Sequence, residues 1–283
     1  MSENNKQTNH SLINHQQIPN VSSLITQVLQ GQYPISANES YVVGAFAVRQ
    51  CTRFEGSQQT YRNHYLLLRV GKAFGGCCLE PKQLDEVDAE SLAGKSLAEL
   101  LEHPLLAVRI AALDAYFAVA APHRAAESAH KFELPLGTPL ERAVARDQAI
   151  VSLLNIQAGE KVGLIGVVNP IVDEIAKHGG ICLPCDFNMA KTASGIEVVQ
   201  DMLPVLQQAD RIIVTGMTLS NGSFDEILAA ARERDIPLLV YAQTGSAIVP
   251  QFLGQGVTAI CAEPFPYSQF SAEPTSVYLY QTS

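Results

Sequence analysis

The chain has 283 residues, 47% hydrophobic and 17% charged, a globular balance long enough for one large or two ordinary domains. Its net charge of −9 argues against nucleic acid as the main partner, because phosphate binding needs a basic face. No run reaches the roughly 18 uninterrupted apolar residues of a membrane span, and six cysteines are too few for a disulfide scaffold, so a cytoplasmic chain with reduced thiols is expected.

Residues 1–20 are polar, rich in Asn, Gln and His, and read as a flexible tail. Val21–Leu29 reads as a short helix with Ser22 or Ser23 near its start. The β-branched and aromatic runs Tyr41–Val48 and Tyr61–Val70 predict strands, followed by a glycine turn at Gly75-Gly76 and the apolar Cys77-Cys78-Leu79. Ser96-Leu97-Ala98-Glu99 has the capping-box pattern, and His103-Pro104 breaks that helix before a second begins. The second, Leu105–Ala120, is apolar nearly all round, which implies burial between layers. Strands followed by helices predict an α+β domain over residues 21–137, with 122–137 as its linker.

A helix over Leu140–Leu154 leads into a different rhythm. Predicted strands Val162–Val168, Gly180–Cys185, Arg211–Thr215, Pro237–Tyr241 and Val257–Cys261 alternate with helices Pro170–Lys177, Ile196–Gln207, Phe224–Arg234 and Ala247–Leu253. That alternation means right-handed crossovers and a parallel sheet. Residues 138–283 therefore read as a Rossmann-like three-layer α/β domain with a mostly parallel sheet.

Ligands of open parallel sheets bind at the carboxyl ends of the strands. This selects Asn169 as an N-cap before Pro170, Asp186 after the second strand, and the stretch from Thr215 to Ser223 after the third. In that stretch Thr215, Gly216, Thr218, Asn221 and Gly222 are candidate ligand contacts, and Ser223 with Glu226 reads as a capping box. Gln243-Thr244-Gly245-Ser246 repeats the theme after the fourth strand. Helix capping alone explains any one of these loops; three on one rim favour a binding edge.

The dinucleotide fingerprint is missing, since the first loop reads Gly163-Leu164-Ile165-Gly166-Val167-Val168. Gly94-Lys95-Ser96 is no phosphate loop, because Ala89 stands where a glycine is needed. Cys182 and Cys185 have C-x-x-C spacing, which makes them candidate ligands for a divalent transition metal. Residues three apart on a strand point to opposite faces, however, so burial as small hydrophobes is the commoner fate. Arg109 and Asp114 interrupt the long apolar helix and must be paired, at its edge, or toward the interdomain cleft. Arg49, Arg53 and Arg62 could wall an anionic ligand or form a solvated sheet face.

The run Gly94-Lys95-Ser96-Leu97-Ala98-Glu99-Leu100-Leu101, Ala111 to Ala115, Lys161 to Gly166, and above all Thr215-Gly-Met-Thr-Leu-Ser-Asn-Gly222 resemble the heavy-metal chelation family. In that family an enolase N-terminal-like domain is joined to a Rossmann-like domain. The resemblance implies a ligand site in the interdomain cleft, a role in handling a metal or metal chelate, and a site at the third-strand loop.

Three functional classes compete, the last a non-catalytic scaffold. One is a protein binding a small molecule or metal chelate, with no nucleic acid or membrane partner and a homodimer as the assembly considered. Another is an enzyme acting on a small anionic, amino-acid-derived or nucleoside-derived metabolite such as S-adenosylmethionine. No nucleophile–base pair stands out from spacing.

Overall fold

Strand alternation and a buried helix build the first half. The computed structural model describes residues 18–53, 55 and 60–282, so the expected tail lies outside the described residues up to position 17. Ile18 to Asn20 are held: Asn20 is the N-cap of α1 (Val21–Leu29), its Oδ1 accepting the Ser23 N–H at 2.8 Å, and Ser22 and Ser23 lie in the first turn. β1 (Gly44–Thr52), β2 (Tyr61–Val70) and β3 (Ala73–Leu79) form an antiparallel sheet in that order. Gly75 and Gly76 lie inside β3 rather than in a turn. At Gly75 a Cβ would land on the Ala115 nitrogen and Ala111 carbonyl of the helix behind, so the glycine lets strand and helix meet.

Three short helices follow, α2 (Pro81–Asp85), α3 (Ala89–Leu92) and α4 (Leu97–Leu101), the last with the expected Ser96–Glu99 capping box. α5 (Leu106–Ala120) packs on the sheet through a run buried from Ala107 to Phe117 with one exception, Arg109. The segment Leu106–Ala125 is long and apolar enough to cross a membrane, but most of it is buried here as a core helix.

The second sheet has seven strands, in the order β4 (His130–Leu134), β10 (Thr275–Gln281), β9 (Ala259–Ala262), β8 (Leu238–Ala242), β7 (Arg211–Thr215), β5 (Lys161–Ile165), β6 (Ile181–Cys185). From β9 to β6 all neighbours are parallel, as predicted; β10 runs antiparallel to both β9 and β4. The linker reading of 122–137 missed β4, and β10 had no place in the predicted series. α6 (Pro139–Ser152) and α7 (Asn169–Lys177) cover one face of this sheet, where Ile150, Ile171 and Ile175 meet Leu164 and Ile213. α8 (Leu203–Gln208) and α10 (Phe224–Arg234) cover the other, with α9 (Met217–Asn221) reaching α5. This is a mixed α/β fold of a small antiparallel sheet and a larger, mostly parallel one. One apolar cluster runs through both, from Leu66 and Ala111 to Ile212 and Val240.

β3 is an edge strand, and its free side is not left to solvent. Gly245 N–H donates to Gly76 O at 3.0 Å, and Cys78 N–H donates to Thr244 Oγ1 at 2.7 Å. The loop after β8 thereby closes the small sheet's edge and fixes it above the strand ends of the large one.

Candidate functional site

The chain passes from β5 to β6 on one side and then to β7 on the other, so strand order reverses at β5. A crevice opens at such a point beyond the carboxyl ends of the strands. It is present here as a cavity of about 340 Å³, floored by Gly166, Thr215, Ala242 and Glu263 at the ends of β5, β7, β8 and β9. A volume of that order suits a small organic ligand. Its roof is the small sheet: Gln50, Thr52, Tyr61, Asn63, Tyr65 and Cys78 line it, and the register pairs Gln50 with Asn63, Thr52 with Tyr61, and Tyr65 with Cys78. Period-2 alternation puts these side chains on the sheet face opposite α5.

The wall is α6, started by a Thr138–Glu141 capping box with Pro139 in its first turn. Pro139, Arg142, Ala143, Arg146, Asp147 and Ile150 line the cavity, a stripe at helical spacing. Arg146 Nε donates to Asp147 Oδ1 at 3.0 Å, and its Nη1 lies 3.4 Å from Glu263 Oε2. Burial alone would lower the Arg146 pKa, but the two carboxylates outweigh it and hold the guanidinium charged. Burial raises the Asp147 pKa against the pull of Arg146. Asp147 Oδ2 and Arg142 Nε are buried without a hydrogen-bond partner.

Beside this stripe lies a closed amide network. Gln243 Nε2 donates to Glu263 Oε2 at 2.9 Å and to Gln269 Oε1 at 3.0 Å, and Gln269 Nε2 donates to Gln243 Oε1 at 3.1 Å and to Tyr65 OH at 2.9 Å. Tyr65 OH in turn donates to Gln243 Oε1 at 3.0 Å. These bonds lock roof to floor. Burial raises the Tyr65 pKa well above the usual phenol range, so its hydroxyl keeps its proton.

The sequence candidates separate clearly. Asn169, Asp186 and Thr215 line the cavity. Asn169 is the first residue of α7 rather than its N-cap, which is Val168; its Oδ1 accepts the Ala193 N–H at 2.8 Å. Asp186 accepts N–H bonds from Val167 at 2.9 Å and Asn188 at 2.8 Å, and so shapes the loop after β5.

Gly216, Thr218, Asn221 and Gly222 do not line the cavity. The stretch read as a loop is the short helix α9. A Cβ on Gly216 would strike the Thr244 carbonyl, so this glycine serves chain packing; Thr218 is buried and donates to Thr215 O at 2.8 Å. Asn221 Oδ1 accepts from Ser223 N–H and Oγ–H, and Gly222 ends α9 at φ 83° beside a separate hollow lined by Val21 and Leu106. Ser223 makes no side-chain cap to α10, so the expected box with Glu226 is absent.

The cysteine pair also divides. Cys182 packs with the cluster under α6 and α7, Cys185 with the cluster on the opposite sheet face. Burial pushes their thiols up to about 12 and about 11, the reverse of what a thiolate metal ligand needs. Among the described residues no three His, Cys, Asp or Glu side chains converge to hold a metal. The arginine wall is not at the cavity either: Arg49 pairs with Asp85 and Arg53 bonds Thr60, both exposed.

Arg142, Arg146, Asp147 and Glu263 were missed by sequence reasoning. For the first three the signal was present in the helix predicted over Leu140–Leu154, whose cavity-side stripe carries charges among apolar residues; Glu263, just past β9, had none.

Residues 148–260, the core of the parallel-sheet half, match the family model DUF364, described as "Putative heavy-metal chelation". This half of the chain is similar to that family. A DUF364 protein of unknown function from Desulfitobacterium hafniense DCB-2 superposes with a TM-score of 0.58 at 11% identity, covering 91% of this chain and 97% of that one. Its likeness extends across both sheets and establishes the shared fold. A second, from Pyrococcus horikoshii, gives a TM-score of 0.49 at 16% identity over 82% of this chain and 93% of its own. No curated protein matches the chain.

Proposed function

We propose that this chain binds a small organic molecule in the cavity between its two sheets. The supporting observation is the enclosure at the β5 reversal, with polar groups from both halves of the chain turned to one space of about 340 Å³. The division at about residue 137 follows from the same reading, with the small sheet as roof and the large one as floor. Metal handling, suggested by the family description, fits here as carriage of a metal already held by an organic chelator. Among the described residues the protein's own donors do not cluster for a bare ion. The six unpaired cysteines accord with a reducing compartment.

Intact-mass analysis of the natively purified protein, paired with thermal melts, tests this. The expected result is a bound small molecule, lost in Ala143→Phe, which fills the α6 wall while leaving the capping box intact. A ligand retained at full occupancy by that variant would place binding elsewhere. Metal detected without any organic component would contradict the chelate reading.

A further inference from the structure

One guanidinium of the cavity wall, Arg142, has no acidic partner beside it. Arg142 is only 2% exposed, yet its guanidinium donates to neutral acceptors, the Ser271 carbonyl and the Thr275 hydroxyl, each at 2.6 Å. Among the described residues no acidic side chain lies within 4.0 Å of it, and its Nε has no partner. A buried charge is costly unless paired, so a cation left this way in a ligand-sized cavity points to a partner that arrives with the ligand.

A second guanidinium stands one turn along the same stripe. Arg146 lines the cavity with a fifth of its side chain exposed, and its contact to Glu263 is long at 3.4 Å, so it keeps donors to offer. The nine-residue α7 begins against the same space, with Val168, Asn169 and Pro170 lining it and no acidic residue in its first turn. The positive end of its dipole adds to the field of the arginines. Three acids also border the cavity. Glu263 and Asp147 Oδ1 hold Arg146, and Asp186 accepts the backbone N–H groups of Val167 and Asn188. Asp147 Oδ2 has no partner, but it belongs to a carboxyl whose pKa burial raises and whose other oxygen already faces Arg146 rather than Arg142.

We propose that the cavity recognises its ligand by an oxyanion, a carboxylate or a phosphate, seated against Arg142 and Arg146 on α6. This rests on the small-molecule reading above and narrows its chemistry. Guanidinium suits either group, because its fork of donors matches two oxygens at once.

Titration calorimetry of the full chain with inorganic phosphate, succinate and neutral succinamide tests the assignment. Saturable binding of phosphate or succinate is expected, with no heat from succinamide, and whichever anion binds names the group. Arg146→Met should weaken binding about tenfold or more, whereas Lys131→Ala, on the exposed β4 edge, should leave it unchanged. Arg142→Met should weaken binding as well, its melting curve checked because Arg142 also anchors β10. Binding of neither anion, or equal binding by wild type and Arg146→Met, would overturn the oxyanion. A neutral or cationic co-purified molecule displaced by Ala143→Phe would overturn it too while leaving the cavity as the site. Anion binding unaffected by Ala143→Phe would remove the cavity itself.

Discussion

The Ala247 backbone N–H donates to Asp114 Oδ1 at 2.7 Å, while the Gly76 N–H donates to Oδ2 at 2.8 Å. One carboxylate on α5 thus ties β3 of the small sheet to the loop that follows β8 of the large one. It is fully buried, and burial raises its pKa to about 7 against the backbone bonds that favour the charged form.

Asp114→Ala should cost about 3 kcal/mol, because it leaves two buried donors without an acceptor. Asp114→Asn should cost less, since the amide oxygen still accepts. Urea midpoints of the variants against wild type provide the check, and an unchanged Asp114→Ala would contradict the role given to this residue.

The same group makes stability depend on pH. An unfolded aspartate titrates near 3.8 and the folded one near 7, so between these values the folded chain binds the extra proton. Its stabilisation is therefore complete below about pH 4 and is lost as pH rises through 7, at on the order of 1 kcal/mol per pH unit. The wild type minus Asp114→Asn difference, measured from pH 4 to 8, should fall along that window. A difference that rises with pH would reverse the sign.

Gly75→Ala should destabilise by about 3 kcal/mol or prevent folding, because its Cβ meets backbone atoms of α5 that have no room to yield. Gly137→Ala is the comparison. Its Cβ meets only the Glu141 side chain, and the loss should stay within about 1 kcal/mol.

Cys182→Ser and Cys185→Ser should not alter the metal content of protein purified without chelators, because the two thiols lie on opposite faces of β6. Elemental analysis decides this, and loss of a stoichiometric metal in both variants would require β6 to be arranged differently.

Arg232 fastens the start of the described chain, donating to the carbonyls of Pro19, Ile18 and Gln255 at 2.7, 2.8 and 2.8 Å. Arg232→Ala should cost about 1–3 kcal/mol and speed amide exchange across Val21–Leu29. Unchanged protection there would show that α1 holds without it.

The alternation of strands and helices was legible from residue 161 onward because α7 and α10 each carry an apolar face. The helix expected over Ile196–Gln207 begins only at Leu203, and the one expected over Ala247–Leu253 is a single 3-10 stretch, Val249–Phe252. Element edges and the irregular stretch 186–202 were less legible. β10 was missed because Tyr278 and Tyr280 follow a proline-rich segment, and the strand pairs antiparallel with both β9 and the remote β4, outside the strand–helix rhythm. Site residues were harder for a physical reason. Loop residues such as Gly216 and Asn221 look the same whether they touch a ligand or their own backbone. Arg142 and Asp147, in contrast, were visible as charges on a helix, and only the packing of α6 against the strand ends turns that face inward.

The position of β10 has a consequence for biogenesis. It lies between β4 and β9, and Thr275 at its start receives the Arg142 guanidinium. During synthesis, β4 and α6 leave the ribosome more than a hundred residues before the strand that joins them to the sheet. The nascent chain must therefore wait with an open edge, and the cavity wall gains its anchor only when residues 275–281 emerge. A chaperone that shields β4 or β9 in that interval would act on yield rather than on the finished protein.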